Sequence, residues 1–259
     1  KSKFCMKDLK FHFVFSTNDK SLKQKKVLLK KFKNYSLLKS NVIVVCGGDG
    51  FMLRAIQKFY KYSKPFFGIN CGTIGFLMNK KINFDLKKNI LESKSIVVNP
   101  IIAKITTYNK RKYNLLAINE VSLLRQTKQT SSIRIFKNEK ILIDNLVGDG
   151  VLLSTPIGST AYNFSVGGPV LNLNSEKLAL TPISVFRPRK WRGQIISQAN
   201  IIKFKNLKIK RPISIVADNY EIRNVHFVSV KINNKIKIKL LFNKNQDYKK
   251  KLKKLIISN

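Results

Sequence analysis

The spacing of apolar and polar residues changes period near residue 95. Before that point apolar runs alternate with helical patterns. Residues 8 to 16 (DLKFHFVFS) read as a strand, 19 to 33 as a basic amphipathic helix and 42 to 46 as a buried strand. A helix over 51 to 61, a short strand over 66 to 70 (FFGIN) and a further helix over 83 to 93 follow. This β-α-β-α order predicts a mostly parallel sheet with helices on its faces. Beyond residue 95 a two-residue period takes over, with strands predicted over 95 to 107, 113 to 125, 131 to 137, 140 to 154, 200 to 205, 213 to 217, 224 to 232 and 235 to 242. Asn138-Glu139 and Asn233-Asn234 supply turns between neighbouring strands. The lysine-rich tail from 246 to 257 reads as a helix that returns to the first domain. The expected division is an α/β domain over 1–94, joined by 243–259, and a β domain over 95–242.

One junction stands out in this pattern. The apolar run Asn41 to Cys46 stops at Gly47-Gly48-Asp49-Gly50 and passes directly into the helical pattern that starts at Phe51. Glycines let a chain turn sharply at a strand end and approach a ligand closely, and the free N–H groups of the next helix favour an anion. A carboxylate placed there repels phosphate unless it has chemical work, such as taking a proton from an attacking hydroxyl or meeting a metal. Asp49 is therefore the first catalytic candidate, with a plain glycine turn and helix cap as the alternative. A second glycine-rich stretch, Val147 to Pro169 (VGDGVLLSTPIGSTAYNFSVGGP), tips the balance toward a site.

Composition narrows the function classes. A length of 259 residues with 44% hydrophobic content is enough for one large or two ordinary domains with a proper core. The formal charge of +38 invites a nucleic-acid or anionic-membrane reading. However, the cations are 42 Lys against 9 Arg, spread through nearly every segment amid abundant Asn and Ile. That bias fits an AT-rich genome better than a phosphate-reading face, which leans on arginine. No specific nucleic-acid partner is expected. Cys5, Cys46 and Cys71 show no paired spacing, so neither a disulfide framework nor a zinc site is implied, and a reducing cytoplasm fits. His12 and His226 form no metal-binding or hydrolase grouping and read as structural. No apolar span approaches the roughly 20 residues of a membrane helix, and no apolar leader follows the basic N-terminus. A soluble, cytoplasmic chain without a membrane partner is expected. The sequence opens at Lys1 rather than Met, consistent with a start lying upstream.

Four segments then form a family pattern. Gly47-Gly48-Asp49-Gly50, Asn70-Cys71-Gly72-Thr73-Ile74-Gly75-Phe76-Leu77, Asn119-Glu120, and Asp149-Gly150 running into Ser154-Thr155-Pro156-Ile157-Gly158-Ser159-Thr160-Ala161-Tyr162 resemble the NAD kinase family in order and spacing. The first motif is shared with lipid kinases and phosphofructokinases; the Asn-Glu pair and the last run are not. Residues 181 to 193 (TPISVFRPRKWRG) resemble the bacterial branch. The resemblance covers nearly the whole chain and implies an N-terminal α/β domain followed by a C-terminal all-β, sandwich-like domain.

The implied reaction is phosphoryl transfer from ATP, or from polyphosphate, to the 2′-hydroxyl of the adenosine ribose of NAD. In that reading Asp49 is the general base. Gly47, Gly48, Asn70, Gly72 and Gly75 shape the phosphate turn, and Gly50, Asn119, Glu120, Asp149, Thr160, Ala161, Tyr162, Ser165 and Asp218 bind NAD. The Asn-Glu pair can accept from ribose hydroxyls and donate to a base; exposed polar residues at a strand end are the alternative. Ser159 or Thr160 reads as an N-cap, and Tyr162 either stacks on a base or sits in the core. The family often has Asp-Gly at the Asp218 position, where this chain has Asn219. Mg²⁺ is implied as the divalent metal, with most ligands coming from donor and water because no protein cage is evident. Homodimers or homotetramers are implied, with the tract around Thr181 to Phe186 contributing across the interface. Two rivals stand beside this reading, another small-molecule kinase with the same glycine turn and a lysine-rich nucleic-acid binder.

Overall fold

The structure, a computed structural model, describes residues 9–72, 75–80 and 85–244. The tail helix expected over 246–257, the start of the helix expected over 83–93, and Thr73-Ile74 lie outside the described residues. The chain divides into two compact units, 1–98 with 236–259, and 99–235.

The first unit contains β1 (Phe11–Phe15), α1 (Asp19–Lys31), β2 (Val42–Gly47), α2 (Asp49–Phe59), a 3₁₀ turn (Tyr60–Tyr62), β3 (Phe66–Asn70), α3 (Leu86–Leu91), β4 (Lys94–Val98) and, from far along the chain, β17 (Ile238–Phe242). Its sheet runs in the order β1-β2-β3-β17-β4. The first three junctions are parallel and only β4 runs antiparallel, against β17. Val42 to Cys46 are all apolar and wholly buried because β2 has neighbours on both edges and α1 and α2 pack against it. Helix α1 starts where the Asn18 side chain accepts the Ser21 N–H at 2.8 Å, and it carries Asp19 in its first turn and Lys30 and Lys31 in its last, matching the helix dipole. His12 has a structural place, its Nδ1 3.0 Å from the Tyr35 carbonyl and its ring edge-on to Phe59.

The second unit holds β5 (Ile101–Thr107), β6 (Lys112–Ala117), β7 (Glu120–Arg125), β8 (Ser131–Lys137), β9 (Lys140–Gly148) and β10 (Gly150–Ser154). A 3₁₀ turn (Gly158–Thr160) and α4 (Tyr162–Ser165) come next. The chain continues with β11 (Lys177–Ile183), β12 (Gln194–Ser197), β13 (Ile202–Asn206), β14 (Ile213–Ala217), β15 (Tyr220–Ile222) and β16 (Val225–Ile232). They form two antiparallel six-stranded sheets, β12-β11-β10-β7-β14-β15 and β6-β5-β16-β13-β8-β9. Alternate residues of each sheet, such as Val121, Leu123, Val151 and Leu153 from one and Ile133, Ile135, Phe204 and Val228 from the other, share one buried cluster, which makes this unit a sandwich.

Three predicted strands are broken in the structure. The run 95–107 divides at Asn99-Pro100, where proline lacks a ladder donor, and β4 joins the first sheet while β5 joins the second. The runs 113–125 and 140–154 break at Ile118-Asn119 and at Asp149, and both breaks fall at residues expected from sequence to bind the ligand. The strand expected to close the β domain, 235–242, is β17 of the first sheet, so the division falls at 98/99 and 235/236. Strands β11, β12 and β15 are additions to the pattern read from sequence.

Candidate active site

The first unit presents the glycine turn at the C-terminal edge of β2. Gly48 caps α2 without a side-chain bond, and Asp49 is the helix's first residue. The Asp49 carboxylate is pinned by two backbone donors of the neighbouring turn: Phe76 N–H donates to Oδ2 at 2.7 Å and Leu77 N–H to Oδ1 at 2.9 Å. An ionised carboxylate offers about four acceptor directions, and these amides fix its plane by taking one on each oxygen. Asn70 ends β3, and its Oδ1 accepts the Gly72 N–H at 3.0 Å, while Cys71 N–H donates to the Gly47 carbonyl at 2.8 Å, stapling the two turns together. Two glycines are required by this packing. A Cβ on Gly47 would lie 2.7 Å from the Phe51 ring, and one on Gly75 would lie 2.9 Å from Met78 Cβ. At Gly48 and Gly50, by contrast, a Cβ would meet nothing within 4 Å among the described residues, so the space they leave is not claimed by the fold.

The second unit brings together residues scattered over a hundred positions. Asn119 and Glu120 sit where β6 passes into β7, each only 9% exposed. Asp218, at φ 51° in the turn between β14 and β15, holds that junction. Its carboxylate accepts the N–H groups of Ile118 at 2.7 Å, Asn119 at 2.8 Å and Glu120 at 3.4 Å. From the other side, Thr155 N–H donates to the Asn119 carbonyl at 2.9 Å and Thr155 Oγ1 to the Ile118 carbonyl at 2.7 Å. Gly158 approaches so closely that a Cβ there would stand 2.2 Å from the Asn119 carbonyl oxygen. This scaffold leaves Asn119 Oδ1 and Glu120 Oε2 buried without a hydrogen-bond partner among the described residues. Buried orphans of this kind are rare in native folds and mark a place for a ligand or water. Burial, and then the charge of Asp218, push the Glu120 carboxyl from its ordinary 4.5 up to about 8.

Tyr162 opens α4 and is 37% exposed, so it is not a core residue. Burial, then Asp149 and Glu120, raise its phenol, which places all three in one electrostatic neighbourhood. Asp149 lies between β9 and β10 and is paired with Arg125 Nε at the end of β7. Ser159 and Thr160 do not cap α4 as expected. Ala161 is its N-cap residue without a side-chain bond, and the two hydroxyls turn back to the Pro156 and Ile157 carbonyls instead. Asn163, fully buried, fastens this segment by donating to the Ser159 and Pro169 carbonyls and accepting from Thr181 Oγ1. Ser165 ends α4 and is exposed.

The chain is similar to known proteins along most of its length. The described family "ATP-NAD kinase N-terminal domain" matches residues 3–90, and "ATP-NAD kinase C-terminal domain" matches residues 118–234. The chain is 39% identical over 250 residues to an NAD kinase of Brucella suis, covering 95% of this chain and 97% of that one. It is 42% identical over 237 residues to an NAD kinase of Rickettsia typhi, covering 91% and 93%. The chain belongs to the ATP-NAD kinase family. Among solved structures, an NAD kinase from Archaeoglobus fulgidus in complex with ATP superposes with a TM-score of 0.73 at 23% identity, over 97% of this chain and all of that one. Yeast NADH kinase complexed with NADH gives 0.73 at 22% identity, over 84% of this chain and 66% of that one. Both share the fold.

The sequence does not mark Arg125 as a site residue and marks Thr155, Phe76 and Leu77 only as members of the family motifs. Arg125 looks like the polar end of an apolar strand, Thr155 like part of a turn, and the amides of Phe76 and Leu77 carry no side-chain signature at all. Asp218 was legible as a residue but not in its observed contacts, since its carboxylate faces the amides of Ile118 to Glu120.

Proposed function

We infer that this chain is an NAD kinase that transfers a phosphoryl group to the 2′-hydroxyl of the adenosine ribose of NAD, giving NADP. The observation that carries the reading is the Asp49 carboxylate, fixed by two amides at the open glycine turn of a family whose relatives at about 40% identity are NAD kinases. Asp49 accepts the hydroxyl proton as the oxygen attacks phosphorus. Gly48 and Gly50 leave room for ribose and phosphates. Asn119, Glu120, Thr160, Ala161, Tyr162 and Ser165 receive the nucleoside, with Asp149 toward the nicotinamide ribose. Asp218 acts mainly by holding the Asn119-Glu120 junction. ATP is the favoured donor, in line with the ATP complex of the archaeal relative.

Mg²⁺ travels with the donor in this proposal. The described residues hold no group of three or more His, Cys, Asp or Glu side chains, and both Asp49 oxygens already accept amides. In this reading the ion is held by donor phosphates and water. No described helix is long and apolar enough to cross a membrane. We further propose a cytoplasmic homo-oligomer. Within the tract expected at its interface, Thr181, Pro182 and Ile183 are buried inside β11, and the exposed part begins at Ser184 and includes Phe186.

The test is NADP formation from NAD, ATP and Mg²⁺, with Asp49→Asn as the paired control. NADP is expected from the wild type, with turnover lost in the variant. Because a carboxamide nitrogen cannot accept the Phe76 or Leu77 amide, NAD binding is measured alongside to separate lost base from displaced turn. Near-normal turnover by Asp49→Asn would refute the assigned role.

A further inference from the structure

The Asn119-Glu120 junction carries a feature that the general reading leaves open, namely which way its hydrogen bonds run. Glu120 is nine-tenths buried, and its Oε2 has no hydrogen-bond partner among the described residues. The charge acting on it is unfavourable: the Asp218 carboxylate sits on the peptide groups of 118 to 120, held there by three N–H donors. The other titratable groups facing it are the Tyr162 phenol from α4 and, beyond Tyr162, Asp149, whose charge is matched by Arg125. Among the described residues no ion pair holds Glu120 itself. A second carboxylate buried beside the first without a donor is electrostatically costly, and the cheaper form is the neutral acid.

We propose that Glu120 works as a protonated carboxylic acid, donating its Oε2–H to an acceptor atom on the ribose or purine of the bound nucleotide. The expectation drawn from sequence was a carboxylate that accepts from ribose hydroxyls. The geometry points the other way: the Asp218 oxygens accept three amides, whereas Glu120 Oε2 meets no such donor among the described residues and so keeps its proton. The carboxyl's raised titration, to about 8, agrees with the geometry. This inference rests on the NAD-binding reading of the site and adds the protonation state to it. No bond is made or broken. The acid donates a hydrogen bond, and ligand binding strengthens its hold on the proton.

The test is calorimetric titration of the full-length protein with NAD alone, from pH 6.5 to 9.5, in two buffers of different ionisation heat. Without a phosphate donor no turnover intervenes. The wild type is expected to bind with constant affinity below pH 8 and then to weaken toward tenfold per pH unit, with proton uptake approaching one per NAD bound near pH 9. Glu120→Gln, a neutral donor of similar shape, is expected to bind equally at pH 6.5 and 9.5 with no linked proton. Asp218→Asn should move the wild-type break to lower pH. A wild-type affinity that is flat or rises through pH 8, or a Gln variant as weak as Glu120→Ala at pH 6.5, overturns the proposal and leaves the NAD kinase reading standing. Folded protein that binds NAD at no pH overturns both.

Discussion

Replacing Glu120 by glutamine should make this protein more stable, by an amount that depends on pH. The folded chain holds the carboxyl at about 8 against an ordinary 4.5, so between those values the native state keeps a proton that the unfolded chain has released. Stability therefore declines as pH rises through this window and levels off above it. At about 1.4 kcal/mol per pH unit, the site costs about 3 kcal/mol at pH 7 and roughly 5 kcal/mol at pH 8 and beyond. Glutamine has nothing to titrate and keeps nearly the same volume. Urea unfolding of both proteins at pH 5, 6, 7, 8 and 9 reads the difference directly, because the other titrating groups are common to the pair. The gap should be small at pH 5, widen to pH 8 and then stay constant. A gap that is flat across the series, or a Gln variant that loses ground as pH rises, would refute the argument that Glu120 is buried neutral.

Other substitutions separate packing from ligand contact. Gly50→Ala places a methyl where the described chain has nothing within 4 Å, in the first turn of α2; unfolding should show stability unchanged or raised by up to about 1 kcal/mol while NADP formation collapses. Gly158→Ala drives its Cβ to 2.2 Å from the Asn119 carbonyl oxygen, so the unfolding free energy read from urea titration should fall by about 1–3 kcal/mol and NAD binding should weaken with it. Asp218→Ala strips the acceptor from the amides of 118 to 120; at about 1–3 kcal/mol for each amide left unpaired, a loss of several kcal/mol is expected in the same assay, and an unchanged midpoint would contradict the anchoring role.

Local pattern alone determined a good part of this protein. The unbroken apolar run of β2 can only be satisfied by burial on both faces, and the glycines that end it announce a turn at a sheet edge, so Asp49 was legible before any coordinates. The period-two alternation of β8 and β13, and the turn at Asn138-Glu139, carry their own register. Tertiary structure decided what local pattern leaves equivalent. KIKIKLLF alternates equally well for either sheet, and only its pairing with β3 on one edge and β4 on the other assigns β17 to the first unit. Strand β11 contains Pro182 in an apolar run without alternation, buried through neighbours on both sides, and it carries no two-residue signature. The breaks at Asn119 and Asp149 interrupt sequences that read as continuous strands; the first is imposed by Asp218 from 99 residues away and the second by a bend that pairs Asp149 with Arg125. The residue types at the candidate site were thus readable from the chain. Their protonation and hydrogen-bond direction depend on burial and on neighbours remote in sequence, and those exist only once the chain has folded.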